Sequence, residues 1–391
     1  MIKINQRIKQ LVGSSTLAIT ARAKELKAQG KDVVNFAGGE PDFDTPEYIK
    51  EGAIQALKDG FTKYTPSTGM PQLKEAIAAK LKRENNLNYQ PSQVAVSCGA
   101  KHALYNVVQV LADEGDEVLI PAPYWVSYPE MVKLSGARSK IIQTSAANQF
   151  KVTPEELTKS ISKNTRILIL NSPSNPTGMV YSKKELEAIA EICVKHKIFV
   201  ISDEIYEKLI YDIPEYVSIG SLGKDIFDLT VTVNGVSKAY SMTGWRIGYC
   251  AAAQEIIGYV QKFQDHSTSN PTSISQAAAL KAIQSSDESV RMMCSEFKKR
   301  RTLMINGLKG VPEIKSMTPQ GAFYLFCDVA ELGSSEDVAK RILDDVNVAI
   351  IPGEGFGAPG FVRLSFSTSG ERIQEGTKRI SQWAQKALSK V

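Results

Sequence analysis

The chain has 391 residues, 43% of them apolar and 23% charged, which makes it globular and long enough for one large core with a smaller companion domain. Its 47 basic residues only slightly outnumber 42 acidic ones and are spread along the sequence, which argues against nucleic acid or an acidic membrane surface as partner and mildly favours anionic ligands. Five scattered cysteines with no CxxC pair, and only three histidines, argue against a disulfide framework or a zinc site and fit a reduced, cytoplasmic compartment.

The first residues, MIKINQRIKQL, carry Lys3, Arg7 and Lys9 but no continuous apolar core and no small-residue cleavage site. No later segment approaches the roughly 18 uninterrupted apolar residues of a membrane span. From there, short apolar runs that read as buried strands alternate with amphipathic stretches. The runs are VVNFA (33–37), VAVSC (94–98), EVLIP (117–121), RILILN (166–171), IFVISD (198–203), LTVTVN (229–234) and IGYCAA (247–252). Between them, PQLKEAIAAKLKREN (71–85) and SKKELEAIAEICVKHK (182–197) repeat apolar residues three and four apart, the helical period. This alternation predicts an α/β fold whose large domain is a mostly parallel sheet flanked by helices. Near residue 290 the pattern changes to a long charged helix, then AFYLFCDV, NVAIIPG, FVRLSFS and a closing helix. We expect a large domain over 43–290 and a smaller α+β domain made of 1–42 with 291–391, since chain ends often pack together.

In an open α/β sheet, ligands bind beyond the carboxyl ends of the strands. The residues that close the runs are unusually polar. VAVSC leads into Gly99-Ala100-Lys101 and a helix, whose first N–H groups can hold a phosphate. EVLIP leads to Tyr124 and Trp125, aromatic faces suited either to the core or to stacking on a flat ring. RILILN opens Asn171 to Gly178, a turn rich in proline and asparagine. IFVISD drives Asp203 to the end of an apolar strand, where a carboxylate is costly without a cation or hydrogen bonds. LTVTVN is followed by Lys238, with Arg246 eight residues further on. A phosphate turn, an aromatic face, an amide, an aspartate, a tyrosine, an arginine and a lysine together suit one small molecule, pyridoxal 5'-phosphate.

The stretches GGEPDFDTP (38–46), NSPSNPTG (171–178), SDEIYE (202–207), SKAYSMTGWRIGY (237–249) and FVRLSFS (361–367) resemble, in order and over nearly the whole chain, the motifs of class I, fold-type I aminotransferases. The resemblance is nearest to the bacterial-type aspartate aminotransferase branch, subgroup Ib. It implies that Lys238 captures the cofactor's carbonyl and then shuttles the proton between the substrate α-carbon and the cofactor. Asp203 keeps the pyridine nitrogen protonated, Tyr206 and Asn175 bind the phenolic oxygen, and Trp125 stacks on the ring. Ala100, Lys101, Ser237 and Arg246 cradle the phosphate, joined by Tyr64 from a second subunit of a homodimer with shared sites. Arg363 clamps the substrate α-carboxylate as a fork, and Gly39 belongs to a loop that closes over it. Burial and neighbouring cations should hold Lys238 below the ordinary lysine value of about 10.4.

Amino-acid and 2-oxo-acid substrates follow from the same resemblance. The animal and enteric enzymes meet a substrate side-chain carboxylate with an arginine in the region matching DHSTSNPTS (265–273), which has none here. In subgroup Ib that contact belongs to the lysine of the phosphate turn, here Lys101, with help from around Thr16, so aspartate with 2-oxoglutarate is the expected pair. Aromatic amino acids, kynurenine, alanine or prephenate are alternatives, as is a carbon–sulfur lyase or ring-forming synthase on the same scaffold. A cofactor-sensing transcription regulator would need an appended DNA-binding domain, for which the early start of the similarity leaves no room.

Overall fold

Seven strands form one sheet, and the direction of a single one explains where the polar residues gather. The computed structural model describes residues 3–13 and 15–388. Its strands are β1 (Val34–Asn35), β2 (Val94–Ser97), β3 (Glu117–Ala122), β4 (Arg138–Gln143), β5 (Thr165–Asn171), β6 (Phe199–Asp203), β7 (Thr230–Gly235), β8 (Gly248–Ala251), β9 (Lys315–Ser316), β10 (Tyr324–Asp328), β11 (Val348–Ala349), β12 (Ile351–Pro352) and β13 (Phe361–Ser365). The large sheet has the order β2-β8-β7-β6-β5-β3-β4. All its pairings are parallel except those of β8, which runs against both β2 and β7.

Because β8 is reversed, its first residue lies at the sheet edge where the other strands end. Ser97, Gly248 and Gly235 lie side by side there, as do Asn171 and Asp203. The connection from β7 to β8 therefore turns at this same edge, and it carries both Lys238 and Arg246.

Helices cover the sheet. Lys183–His196 starts with a capping box, Ser182 accepting from the N–H of Glu185 and the Glu185 side chain accepting from that of Ser182. Such a cap contributes about 1 kcal/mol. The helix buries Leu186, Ile189, Ala190 and Cys193 in a cluster with Leu168 and Val200 of the sheet. Pro71–Asn85 begins with proline, whose missing N–H costs nothing at that position, and stops at Asn86 in the left-handed region.

One strand in the large sheet departs from expectation. Arg138–Gln143, RSKIIQ, is β4 at the sheet edge, largely half-buried or exposed. Conversely, the VVNFA run does not enter the large sheet: β1 pairs in parallel with β11. The Phe36 N–H donates to the Ala349 carbonyl at 2.9 Å, and the Phe36 carbonyl accepts from Ser365 at 2.7 Å. Val34 and Phe36 share one core with Phe297, Phe323, Ile350, Phe366 and Trp383. The second sheet, β12-β13-β10-β9, lies in this part of the molecule. Among the described residues no helix is long and apolar enough to cross a membrane.

Candidate active site

Lys238 follows β7 on the turn at the strand-end edge and is half-buried. Its Nζ donates to the Gly39 carbonyl and stands 5.8 Å from the ring centres of both Tyr206 and Phe323. Burial drives its pKa down to about 8; Glu40 and Asp203 oppose the fall, and Arg363 and Arg246 deepen it. The loop above is tied at several points. Thr243 donates to the Glu40 carboxylate at 2.8 Å, Ser367 to the Glu40 carbonyl at 2.6 Å, and Arg300 to Asp42 at 2.6 Å.

Asp203 ends β6 with 4% of its surface exposed. It accepts from the Tyr128 hydroxyl at 2.6 Å and from the Ile205 N–H at 3.3 Å. The sequence calls for a cation beside it, but among the described residues no lysine, arginine or histidine forms an ion pair with it; Lys238 acts on it only through space. Burial consequently raises its pKa to about 6, against the lowering effects of Tyr128, Ile205 and Lys238.

Arg246 sits at φ 55°, its Nη1 donating to Thr243 at 2.8 Å and its Nη2 to Cys98 at 3.4 Å. Gly99 is obligatory here. Its φ is +91°, and a Cβ would lie 2.4 Å from Arg246 Nη2. Gly248 is equally constrained, since a Cβ there would lie 2.1 Å from the Ala100 nitrogen. Gly248 thus lets β8 and the start of the helix Ala100–Leu111 meet backbone to backbone, and Gly99 supplies the positive φ at the helix entry. Ala100 and Lys101 are the first two residues of that helix, so their N–H groups have no carbonyl within it. Ser237 is buried beside Lys238.

Trp125 packs edge-on against Tyr128, ring centres 5.4 Å apart. The ammonium of Lys101 lies 4.7 Å from the Trp125 ring centre; its pKa is lowered by burial and then by Arg246. Tyr124 packs against the turn at Gly357, to whose neighbour Phe356 it donates at 3.0 Å.

Arg363, on β13, is 2% exposed. Its Nη1 donates to Asn175 Oδ1 at 2.9 Å and its Nη2 to the Ala37 carbonyl at 3.1 Å, while Nε has no partner among the described residues. Asn175 itself is fixed by its own N–H to Asn171 Oδ1 at 2.8 Å. The Tyr206 and Tyr324 hydroxyls are 2.8 Å apart.

The structure thus links Lys238 to Gly39, couples it electrostatically to Asp203, Arg246 and Arg363, and joins Arg363 to Asn175. Tyr64 stands apart, 92% exposed on the surface of the chain. The side chain of Thr16 lies outside the described residues. Two contacts were not anticipated, those of Tyr128 and Tyr324. Tyr128 follows Trp125 by three residues at a helix entry, a spacing that brings side chains together. Tyr324 lies opposite Ser365, one diagonal step from Arg363 across the β10–β13 pair.

A half-buried lysine of lowered pKa, two arginines that act on it through space, and a buried carboxylate that forms no ion pair among the described residues suit a group-transfer enzyme acting on small anions. The chain belongs to the family described as aminotransferase class I and II, whose pattern matches residues 31–380. It is 48% identical over 383 residues to an aspartate aminotransferase of Bacillus sp. (strain YM-2), covering 96% of this chain and 98% of that protein. It is 44% identical to a probable aspartate/prephenate aminotransferase of Aquifex aeolicus over 391 residues, 98% of each. The solved aspartate aminotransferase of Thermus thermophilus with maleate superposes with a TM-score of 0.94 at 41% identity, covering 98% of this chain and all of that one.

Proposed function

We propose that this protein is an aspartate aminotransferase that uses pyridoxal 5'-phosphate, taking the amino group from L-aspartate and giving it to 2-oxoglutarate. The observation that carries the reading is Asp203, a buried carboxylate pushed up to about 6 that forms no ion pair among the described residues. A pyridinium N–H supplies that partner. The remaining donors fit the same molecule: the free N–H groups of Ala100 and Lys101, Ser237 and Arg246 suit a phosphate, and the Asn175 amide and Tyr206 hydroxyl suit a phenolic oxygen. When bound, the cofactor supplies a carbonyl that captures amines and a ring that takes up the electron pair left by the departing α-proton.

The chain's own residues do the rest. Lys238, at about 8, supplies enough neutral amine near neutral pH to anchor the cofactor and, once displaced, would take the proton from the substrate α-carbon and deliver it to the carbon that was the cofactor's carbonyl, across the nitrogen between them. Asp203 keeps the ring nitrogen protonated. Arg363 presents a planar fork to the α-carboxylate and is held by hydrogen bonds to Asn175 and the Ala37 carbonyl. Trp125 bounds the ring face, and Gly39 lies on the loop that closes the site. Lys101 carries a second positive charge at the site, which suits the side-chain carboxylate of a dicarboxylic substrate. One pocket serves both half-reactions, the first oxo acid leaving before the second enters.

We also infer a cytoplasmic homodimer in which the partner subunit's Tyr64 completes the phosphate site. The bodies are residues 43–290, and 1–42 with 291–391. The exposure of Tyr64 and the shared core of Val34 and Phe36 with the C-terminal part support these readings.

The test is a half-reaction titration of the cofactor-loaded protein with single amino acids, followed by visible absorbance and analysis of the released oxo acid. Aspartate and glutamate should convert it fastest. Conversion by prephenate's amine as well as by aspartate would add the second activity named for the Aquifex aeolicus relative, preference for aromatic amino acids would overturn the dicarboxylate reading, and elimination products would favour a lyase. In the same assay Lys101→Ser should raise KM for aspartate and 2-oxoglutarate about tenfold, the scale of one partly exposed charged contact. An equal loss with an aromatic substrate would assign Lys101 to the phosphate alone. Arg363→Lys should lower kcat/KM for all amino acids alike by roughly 10- to 100-fold, because one of two charge-assisted bonds is lost. A loss confined to dicarboxylates would exchange the two cation assignments.

A further inference from the structure

Tyr324 stands where three parts of the site meet. It is 1% exposed on β10. The Arg363 guanidinium lies 4.3 Å from its ring centre. Its hydroxyl is 2.8 Å from that of Tyr206 and faces Gly39, where a Cβ would lie 3.6 Å from it. The Gly39 carbonyl is the acceptor for Lys238.

The hydroxyl pair has two possible directions. Each oxygen carries one hydrogen, so either Tyr206 donates to Tyr324 or the reverse. If Tyr206 spends its hydrogen on Tyr324, it has none for a ligand. If Tyr324 donates, Tyr206 is left free to donate outward, and a hydroxyl that accepts one bond donates the next more strongly. The ring of Tyr324 does separate work: a guanidinium attracted to an aromatic face is restrained there, and the Arg363 guanidinium lies over this ring while its Nε has no partner among the described residues. Among the described residues the one other ring over that guanidinium is Phe356, 5.2 Å from it.

We propose that Tyr324 is a positioning residue with two separable roles: its hydroxyl directs the hydrogen of Tyr206 toward the bound cofactor, and its ring sets the plane of the carboxylate-binding Arg363. The inference rests on the cofactor reading given above. Tyr324→Phe removes the first role and keeps the second; Tyr324→Leu removes both.

The experiment titrates the visible absorbance of the cofactor-loaded protein against pH and measures KM for several amino acids. A weaker donor at the phenolic oxygen makes the lysine-bound nitrogen more basic. Tyr324→Phe should therefore move the absorbance midpoint upward by about half to one pH unit, the scale of one neutral hydrogen bond, with KM changed less than about twofold. Tyr324→Leu should move the midpoint similarly and raise KM for every amino acid about tenfold. In a Tyr206→Phe background, Tyr324→Phe should cause no further shift. An unmoved midpoint in Tyr324→Phe, or a full additional shift in that background, overturns the proposal. If the unsubstituted protein shows no pH-dependent visible band, the cofactor reading itself fails, which is distinguishable from either result.

Discussion

Lys238→Ala is expected to lower the rate of the half-reaction with aspartate by about 10⁴-fold, the upper range for loss of a positioned acid–base group, while leaving the protein folded. The cations that act on Lys238, Arg363 and Arg246, are guanidinium groups, which carry donors and no acceptor, and Asp203 is committed to Tyr128 and Ile205, so none of these can take over. The native lysine has its pKa lowered from 10.5 to about 8. Between those values the folded chain binds fewer protons than the unfolded one, so this group's contribution to stability improves as pH rises from about 8 to 10.5 and is unfavourable below. Alanine removes that cost. The cofactor-free variant should accordingly unfold at pH 7 no lower in temperature than its cofactor-free parent, as a thermal melt would show. Turnover close to the parent's would remove Lys238 from the chemistry, and a collapsed melting temperature would make its role structural.

Much of this site was legible because the large sheet is built from nearly continuous apolar strands, so each polar residue closing a run stood out. Asp203 and Lys238 were singled out in that way, as was the turn Gly99-Ala100-Lys101. What escaped has physical reasons. β4 carries Arg138 and Lys140 and lies at the sheet edge, so its apolar signal is diluted by side chains that meet solvent. β1 reads like any buried run, and its pairing with β11 joins residues more than 300 apart, which no local period encodes. The reversal of β8 is equally silent in the sequence, although it is what brings Arg246 to the strand-end edge. Tyr128 and Tyr324 were overlooked because an aromatic inside an apolar segment looks like core, and only the partner of its hydroxyl distinguishes it.

Asp203→Asn is expected to reduce kcat by about 10²- to 10³-fold, the scale of losing one preorganised electrostatic partner to developing charge, with KM nearly unchanged. Asparagine keeps the volume and still accepts from Tyr128, but it bears no charge to hold a proton on the ring nitrogen. The same substitution should act on stability with opposite signs in the two forms of the protein. In the cofactor-free chain Asp203 has its pKa raised from 3.8 to about 6, so the stability it contributes is full below 3.8 and is lost as pH rises through about 6. At pH 7 the native carboxylate therefore costs the cofactor-free fold about 3 kcal/mol, from 1.36 kcal/mol per pH unit, and Asp203→Asn should raise its melting temperature. With cofactor bound, the carboxylate gains its cation and the substitution should lower the melting temperature, because binding weakens and with it the stabilisation that binding confers. A melting temperature that moves the same way in both forms would mean that Asp203 does not meet the cofactor at all. A change of sign with a preserved kcat would leave it as a binding residue only. The change of sign together with the loss of kcat is what a carboxylate kept in the core to hold a pyridinium proton requires.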